Sequence, residues 1–465
     1  SMTPASAAAP LSFREKFAYG LGDMASNFYL GFFGLFLLYY YTDVYGLAPA
    51  AVGTMLLVTK IVDAVSDPVM GLIADRTETR WGKYRPYLLF AAIPYGLLGY
   101  ALLLGPELSD TGKLIYAYVT YTAVMLAFTA VNVPYSALLA VISPSAVERT
   151  KATTFRFILA SLGTLAVGAF ATPLKNWLGG GDELLGFRLT MVLFAVLSVA
   201  LFWTTFAFTR ERIRPEPHEG TIREDLSALL KNRSWVLLVF SGILIVVGLV
   251  ARFASIVFYV KYFIKDDGSP VFLFFDRTAV FTSIGLIGQL VGALITPYLA
   301  SRFEKHHLVI AVNLLHFVLL LAGYALPPES FWLTTCLHTI GIMTFGITIT
   351  LLFSMYTDCA EYGEWQSGKR TSGLIVSASM FSLKFGSALG GALPGFILAA
   401  FGFVANQTQS AEVLAGIGIM LFILPAAFFL IGGLIMVGYG IDRDTLSRIE
   451  SELGSRRANG ASQAV

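Results

Sequence analysis

The chain has 465 residues, of which 56% are hydrophobic and only 13% charged, and its net charge is +2. Soluble domains carry roughly 25% charged and 45–50% apolar residues, and no soluble interior of this size would hold so much apolar chain. A cytosolic enzyme, a nucleic-acid binder and a secreted disulfide-framed domain are excluded: the charge gives no polyanion signal, and the two cysteines, Cys336 and Cys359, have neither disulfide-framework nor zinc spacing. An all-α, polytopic membrane protein remains.

A membrane helix needs about 20 mostly apolar residues, and twelve such spans are predicted. The first six run near 19–45, 51–74, 87–105, 114–142, 153–174 and 189–209. The second six run near 235–262, 278–300, 307–326, 331–356, 372–402 and 412–440. The stretch before Leu11 is rich in Ala, Pro and Ser, with no charged start. It reads as a disordered tail and not as a signal peptide. The longest polar loop, 210–234, divides a six-helix bundle at 19–209 from another at 235–440. Tails of 1–18 and 441–465 flank them, the latter polar and partly helical. Arg76 and Arg302, and Arg149-Thr150 and Arg370-Thr371, recur at matching loops of the two halves. Two parallel repeats imply alternating access, with a substrate site near the midplane between the halves.

Lys and Arg set the orientation. Twenty-two lie in the tails and the loops on the side of the tails, six in the opposite loops, and four within spans. The positive-inside rule then places both termini in the cytoplasm.

A charge at the bilayer centre costs at least about 2.5–3.5 kcal/mol on insertion scales, so each needs a partner, a wet cavity or a function. Span 2 reads KIVDAVSDPVMG. Lys60, Asp63 and Asp67 share one helix face, Ser66 lies close by, and Pro68 unpairs the carbonyl of Ala64. Two carboxylates, a hydroxyl and a loose carbonyl suit a small cation. Two neighbouring carboxylates also raise one another's pKa, which suits a proton. The structural alternative is a salt bridge from Lys60, but one Lys cannot pair two carboxylates. Arg156 in span 5 and Lys384 in span 11 should be drawn towards Asp63 and Asp67, as sugar donors or as packing ion pairs. Arg252 in span 7 has no carboxylate on its own helix and should line the cavity or snorkel outwards. The tally of Lys60, Arg156, Arg252 and Lys384 against Asp63 and Asp67 leaves a positive excess that would suit a uronide carboxylate and that gate residues near the span ends could equally absorb.

Asn27, Thr129, Asn132, Gln289, Asn313, His316 and His338 are polar positions inside spans. Each taken alone is more often an interhelical hydrogen bond than a ligand contact, and the two histidines read as satisfied core residues. Asn132-Val133-Pro134-Tyr135 combines an amide, a loosened helix and an aromatic plate for a sugar.

An ordered set of motifs resembles the glycoside–pentoside–hexuronide:cation symporters of the major facilitator superfamily, over essentially all twelve spans. It comprises YGLGDMASNF and YYYTDVYGL, then DAVSDPVMGLIADRTETRWGKYRPY, NVPYSAL, FRFILASLG, YTDCAEYGEW and SLKFGSALGG. The resemblance implies two six-helix bundles and cation-coupled sugar uptake in the bacterial inner membrane. It implies that Asp63 and Asp67 bind the cation, with Ser66 and Thr129 beside them, as H⁺ or as Na⁺. Asn27 and Asn132 stand where a familiar member has two sugar-holding aspartates, and Ser136 stands where that member has a tryptophan. Ser66 replaces an asparagine and Ser26 a lysine. The substrate-binding set is then Asn27, Asn132, Tyr135, Ser136, Arg156, Lys384 and Arg252. Arg76 and Arg80, with Asp358, Glu361 and Glu364, are expected as the inner charged gate, Lys83 and Arg85 lying in the same signature.

Ser66 is shorter than asparagine, and Asn27 and Asn132 remove acidic groups, so H⁺ is favoured over Na⁺ as the coupling ion. No cofactor is expected. The partners are a sugar or glycoside and the lipid bilayer, with no nucleic acid, and the unit is a monomer. The rival on the same fold is a lipid or lysolipid transporter, which would want an apolar cavity. An intramembrane enzyme has no support, because HExxH, GxSG and metal-ligand clusters are missing from the spans.

Overall fold

The computed structural model describes residues 9–214, 222–368 and 372–463. The start of the N-terminal tail, part of the 210–234 loop and the Arg370-Thr371 repeat match lie outside the described residues. Among the described residues the regular structure is helical, with two isolated β-bridges and no strand.

The helices in chain order are α1 (Phe13–Phe32), α2 (Pro49–Asp75), α3 (Arg85–Phe90), α4 (Ala92–Leu102), α5 (Asp110–Ile142), α6 (Ala146–Gly179), α7 (Glu183–Phe208) and α8 (Ile222–Leu230). Then follow α9 (Arg233–Phe258), α10 (Arg277–Arg302), α11 (Lys305–Tyr324), α12 (Phe331–Ser367), α13 (Ser372–Ala400), α14 (Ala411–Gly418), α15 (Leu424–Ile435) and α16 (Arg443–Gln463). Every predicted span is found. Nine helical segments among the described residues are each long and apolar enough, uninterrupted, to cross a membrane. The other three spans are α1 with its continuation, α2, and α3 with α4. Span 3 is broken between Phe90 and Ala92. The polar C-terminal tail is a full helix, α16.

Helix starts follow local signals. Ser12, Ser109, Ser145 and Asp182 accept backbone N–H bonds at the starts of α1, α5, α6 and α7, satisfying donors that a helix leaves orphaned. Four stretches are π-helical: Phe33–Leu37 and Tyr40–Val44 beyond α1, Tyr259–Phe263 beyond α9, and Ile419–Ile423 between α14 and α15. Such stretches often mark functional positions. No sequence period announces them.

The chain divides into two compact units. The first holds Ser1–Pro217, Phe253–Ser283 and Gly391–Ile417; the second holds His218–Arg252, Ile284–Gly390 and Gly418–Val465. These units cut across the expected bundles 19–209 and 235–440. Lys261 and Asn406, both of which bond to Asp43, fall in the first unit.

In the first unit α1 packs on α6 and α7, α2 on α5, and α4 on α5 and α7. The α1–α6 crossing depends on glycine. A Cβ on Gly20 would lie 2.8 Å from the Phe155 carbonyl oxygen, and one on Gly163 2.8 Å from that of Met24. Small residues are what let membrane helices approach so closely. This crossing sets Asp23 opposite Arg156. Ser198 and Thr205 of α7 donate to the Ala25 and Ala18 carbonyls of α1, at 3.2 and 2.6 Å. In the second unit α11 packs on α12 and α15, and α16 on α12. Asn313 reaches the Thr348 hydroxyl at 3.1 Å, and Ser241 donates to the Gly432 carbonyl at 2.6 Å.

Candidate functional site

The carboxylate site lies between α2 and α5. Asp63 is buried at 3% exposure and Thr129 at 2%, while Asp67 and Ser66 are half-buried. Thr129 donates its hydroxyl to Asp63 Oδ1 at 2.9 Å, and the same hydroxyl oxygen lies 3.3 Å from Asp67 Oδ1. Ser66 Oγ is 3.3 Å from Thr129 Oγ1 and donates to the Asp63 carbonyl at 2.8 Å. Asp63, Ser66, Asp67 and Thr129 therefore converge, as the sequence predicts. Thr129 is the pivot: one hydroxyl touches both carboxylates.

A second polar cluster runs across α1, α5 and α6. Arg156 Nε bonds Asp23 Oδ2 at 3.0 Å, and its Nη2 donates to Ser136 Oγ at 3.1 Å. Asn27 Nδ2 donates to the Asp23 carbonyl at 2.8 Å and stands 3.4 Å from Asp23 Oδ1. Thr164 donates to Asn27 Oδ1 at 3.4 Å, and Ser26 to Asn132 Oδ1 at 3.5 Å. Asp23, Asn27, Asn132, Ser136, Arg156 and Thr164 are each half-buried, so the cluster keeps an accessible polar surface. The two clusters share α5. Thr129, Asn132 and Ser136 are spaced i, i+3 and i+7 and lie on one face, within about 10 Å along the axis at 1.5 Å per residue.

Several expectations change. Arg156 pairs with Asp23 and not with Asp63 or Asp67. The sequence reading passes over Asp23 in favour of Asn27, one turn further on. Its signal is present in the sequence: a carboxylate inside span 1 at i−4 to an amide. Asp43, also in span 1, pairs with Lys261 at 3.0 Å. Asp23 thus reduces the positive excess that suggested a uronide, and Asp43 and Lys261 balance one another. Tyr135 is no sugar plate. It is 0% exposed, stacks on Tyr19 with centroids 4.8 Å apart, donates to the Tyr19 carbonyl and carries the Arg156 guanidinium 5.0 Å above its ring.

Arg252 neither lines a cavity nor snorkels. It is 1% exposed, donates to the Leu421 carbonyl at 2.6 Å and meets His338 Nδ1 at 2.7 Å. The π-helical stretch Ile419–Ile423 presents that carbonyl, so the guanidinium is held inside the second unit through its two Nη atoms. His338 and His316 are buried core residues, but not the satisfied ones expected: among the described residues neither ring nitrogen of His316, which stacks on Phe429 with centroids 4.1 Å apart, has a hydrogen-bond partner, and His338 bonds through Nδ1 only. Lys384 is half-buried on α13 in the second unit.

The expected gate residues have local partners. Asp358 takes Lys305 at 2.7 Å, and Glu364 takes Arg457 of α16 at 3.1 Å. Glu361 is half-buried one turn from Asp358. Arg80 stacks over Trp81, with its guanidinium carbon 4.2 Å from the ring centroid, and Arg76 caps the end of α2. Neither Lys305 nor Arg457 is marked as a partner by the sequence.

A further ionic network has no counterpart in the sequence reading. The Asp43 side chain is completely buried. It accepts from Lys261, from Tyr262 and from Thr42, the last at 2.8 Å. Asn406 donates to the Asp43 carbonyl at 2.6 Å and accepts from Lys261 at 2.8 Å. Lys261 also reaches Tyr39, which donates to Glu183 at 2.9 Å. Nearby, Thr172 donates to Asp276 at 2.7 Å. Burial pushes the Asp276 carboxyl above its ordinary range, and this bond counters the shift.

The description MFS/sugar transport protein belongs to a family profile that matches residues 18–443. The putative glycoside/cation symporter YagG of Escherichia coli (strain K12) is 35% identical over 425 residues, 90% of this chain and 90% of its own length. The isoprimeverose transporter of Lactiplantibacillus pentosus is 33% identical over 438 residues, covering 92% of this chain and 89% of that one. The solved structure of the nucleoside transporter NupG shares the fold, with a TM-score of 0.62 at 16% identity over 92% of this chain and 100% of that chain. From the first span to the last, then, the chain belongs to the MFS/sugar transport protein family, as one of its glycoside–pentoside–hexuronide:cation symporters: a multi-pass bacterial membrane transporter and not an enzyme.

Proposed function

We propose that this chain is a secondary active sugar symporter that couples inward movement of a glycoside, pentoside or hexuronide to a cation by alternating access. Both termini face the cytoplasm, as the Lys and Arg asymmetry requires. The bodies that move are the halves 19–209 and 235–440. The observation that carries the reading is the shared face of α5. Thr129 serves the carboxylates of α2, and Asn132 and Ser136 on the same face belong to the polar cluster around Arg156. A cation that neutralises Asp63 or Asp67 releases the Thr129 hydroxyl and so reaches the sugar surface within two helical turns. A ligand shifts such an equilibrium only through differential affinity for its states; here the cation supplies that difference at Thr129.

The coupling ion is H⁺. Ser66 commits its hydrogen to the Asp63 carbonyl, and Asp67 is the more open of the two carboxylates. A proton needs one such carboxylate, whereas Na⁺ needs several oxygens at fixed distance. Asn132, Ser136 and Arg156 contact the sugar, while Asn27 lies at its edge; Lys384 of the C-terminal half is a further proposed substrate residue. The partly exposed polar cluster at Arg156 supports a sugar over a lipid cargo.

Two charge clusters gate the path. The Asp43–Lys261–Asn406 network closes the outer side. On the inner side the gate charges are Arg76 and Arg80 in one half and Asp358, Glu361 and Glu364 in the other, where Lys305 and Arg457 pair with Asp358 and Glu364.

The test is uptake of labelled xylosides, glucosides and glucuronides into proteoliposomes, with an imposed pH gradient or an imposed Na⁺ gradient. Accumulation of one sugar under the pH gradient supports the reading. Transport of none of them, under either gradient, contradicts it.

A further inference from the structure

We infer that Asp23 is a sugar-binding residue, the charged acceptor of the polar cluster on α1, α5 and α6. The inference rests on the sugar-symport reading and deepens it. A sugar hydroxyl both donates and accepts, so its site needs acceptors as well as donors. Donors are plentiful here. Arg156 presents five N–H groups, of which Nε meets Asp23 and one on Nη2 meets Ser136. The neutral acceptors are the side-chain oxygens of Asn27 and Asn132, 3.4 Å from Thr164 Oγ1 and 3.5 Å from Ser26 Oγ, each hydroxyl also having a carbonyl of its own helix at 3.3 Å. Asn27, the obvious choice in sequence, commits its amide to the Asp23 backbone carbonyl at 2.8 Å. Its amide ties back onto the α1 turn that carries Asp23.

The Asp23 carboxylate is different. It offers about four lone-pair positions, and its close bond is the one from Arg156 Nε to Oδ2; the Asn27 contact to Oδ1 is long, at 3.4 Å. Its side chain is 13% exposed and that of Arg156 20%, so both reach the same open surface. Gly20 and Gly163 fix the backbone spacing that brings the two together. An acid and a base side by side, each with unused valence, suit two adjacent sugar hydroxyls: one donates to the carboxylate while the other accepts from the guanidinium. A charged hydrogen bond of this kind is among the stronger ones, and a buried partner left unmatched is what makes such a site selective.

Two roles must be separated. Asp23 could act only through Arg156, by neutralising and orienting it, or could touch the sugar itself. A double-mutant cycle decides between them. Binding of nitrophenyl xyloside, glucoside and glucuronide is measured by calorimetry on the full chain in lipid nanodiscs, for wild type, Asp23→Asn, Arg156→Gln and the double variant, with thermal unfolding in parallel. Asp23→Asn should weaken the best-bound glycoside at least tenfold, and the double variant should bind at least fivefold more weakly than Arg156→Gln alone. The inference is overturned if Asp23→Asn binds like wild type, or if the double variant binds no worse than Arg156→Gln. Should Asp23→Asn fail to fold with Arg156 unpaired, Arg156→Gln against the double variant still decides, since neither leaves an unpaired cation. If the wild type binds none of the three glycosides while remaining folded, the sugar reading itself fails and this inference goes with it.

Discussion

Asp43 and Lys261 form a 3.0 Å ion pair although 218 residues separate them in the chain, and each stands on a π-helical stretch, Tyr40–Val44 and Tyr259–Phe263. The wider turn aims both side chains at one point, where Tyr262 and Asn406 complete the network. If this is the outer gate, weakening it should favour the outward-open state. Lys261→Met leaves a fully buried carboxylate without its cation, which costs about 3–5 kcal/mol for a buried pair. The expected result is a lower unfolding midpoint, largely restored in Asp43→Asn/Lys261→Met. An unchanged midpoint in the single variant would remove the pair from the account.

Thr129 is the pivot between the carboxylates. Thr129→Val keeps the shape but removes the hydroxyl that meets Asp63 and Asp67. Gradient-driven accumulation should fall at least tenfold, while sugar exchange without a gradient falls less. Asp63→Asn and Asp67→Asn should each abolish accumulation, with binding surviving in part. Equal loss of exchange and accumulation in Thr129→Val would separate this hydroxyl from coupling.

Arg156 and Arg252 are both intramembrane arginines, and their variants should differ in kind. Arg156→Ala, like Asn132→Ala, should weaken sugar binding at least tenfold, about 1.4 kcal/mol. Arg252→Met should leave the affinity of folded carrier unchanged and lower its thermal stability, because Leu421 and His338 lose a buried donor. A shifted sugar affinity in folded Arg252→Met would return that residue to the substrate site.

The α1–α6 crossing should be sensitive to volume. Gly163→Val places a Cβ against the Met24 carbonyl at 2.8 Å and must push α1 away. Sugar binding should drop more than tenfold, whereas cation-dependent quenching or protection at the Asp63 site should persist. Loss of both together would mean that the crossing supports the whole unit and not the sugar surface in particular.

The twelve spans are legible in the sequence because twenty apolar residues are an unambiguous signal, and Asp63, Ser66 and Asp67 are legible because their spacing fixes a helix face. Thr129 joins them through the family's ordered motifs. Tertiary pairing is not legible. Nothing local in span 1 says that Asp23 meets Arg156, since that depends on the closeness of a glycine crossing with a helix 133 residues away in sequence. Arg252 misleads because one partner is a backbone carbonyl in a π-helical turn, which has no letter in the sequence, and the other, His338, lies 86 residues away with no local sign that the two meet. The Asp43 network escapes for the same reason: its register is set by π-turns. The gate carboxylates are recognisable as a cluster, but their partners Lys305 and Arg457 depend on how α11 and α16 pack against α12.

The central claim is that a proton on the Asp63–Asp67 pair drives sugar uphill. The most direct measurement is accumulation of a labelled glycoside in proteoliposomes at fixed membrane potential, without Na⁺, under an imposed inward pH gradient. Wild type and Asp67→Asn are compared. Wild type should concentrate the sugar above its external level and collapse to equilibration when the gradient is removed. Asp67→Asn should only equilibrate. Accumulation that ignores the pH gradient, responds to Na⁺ alone, or persists in Asp67→Asn would contradict it.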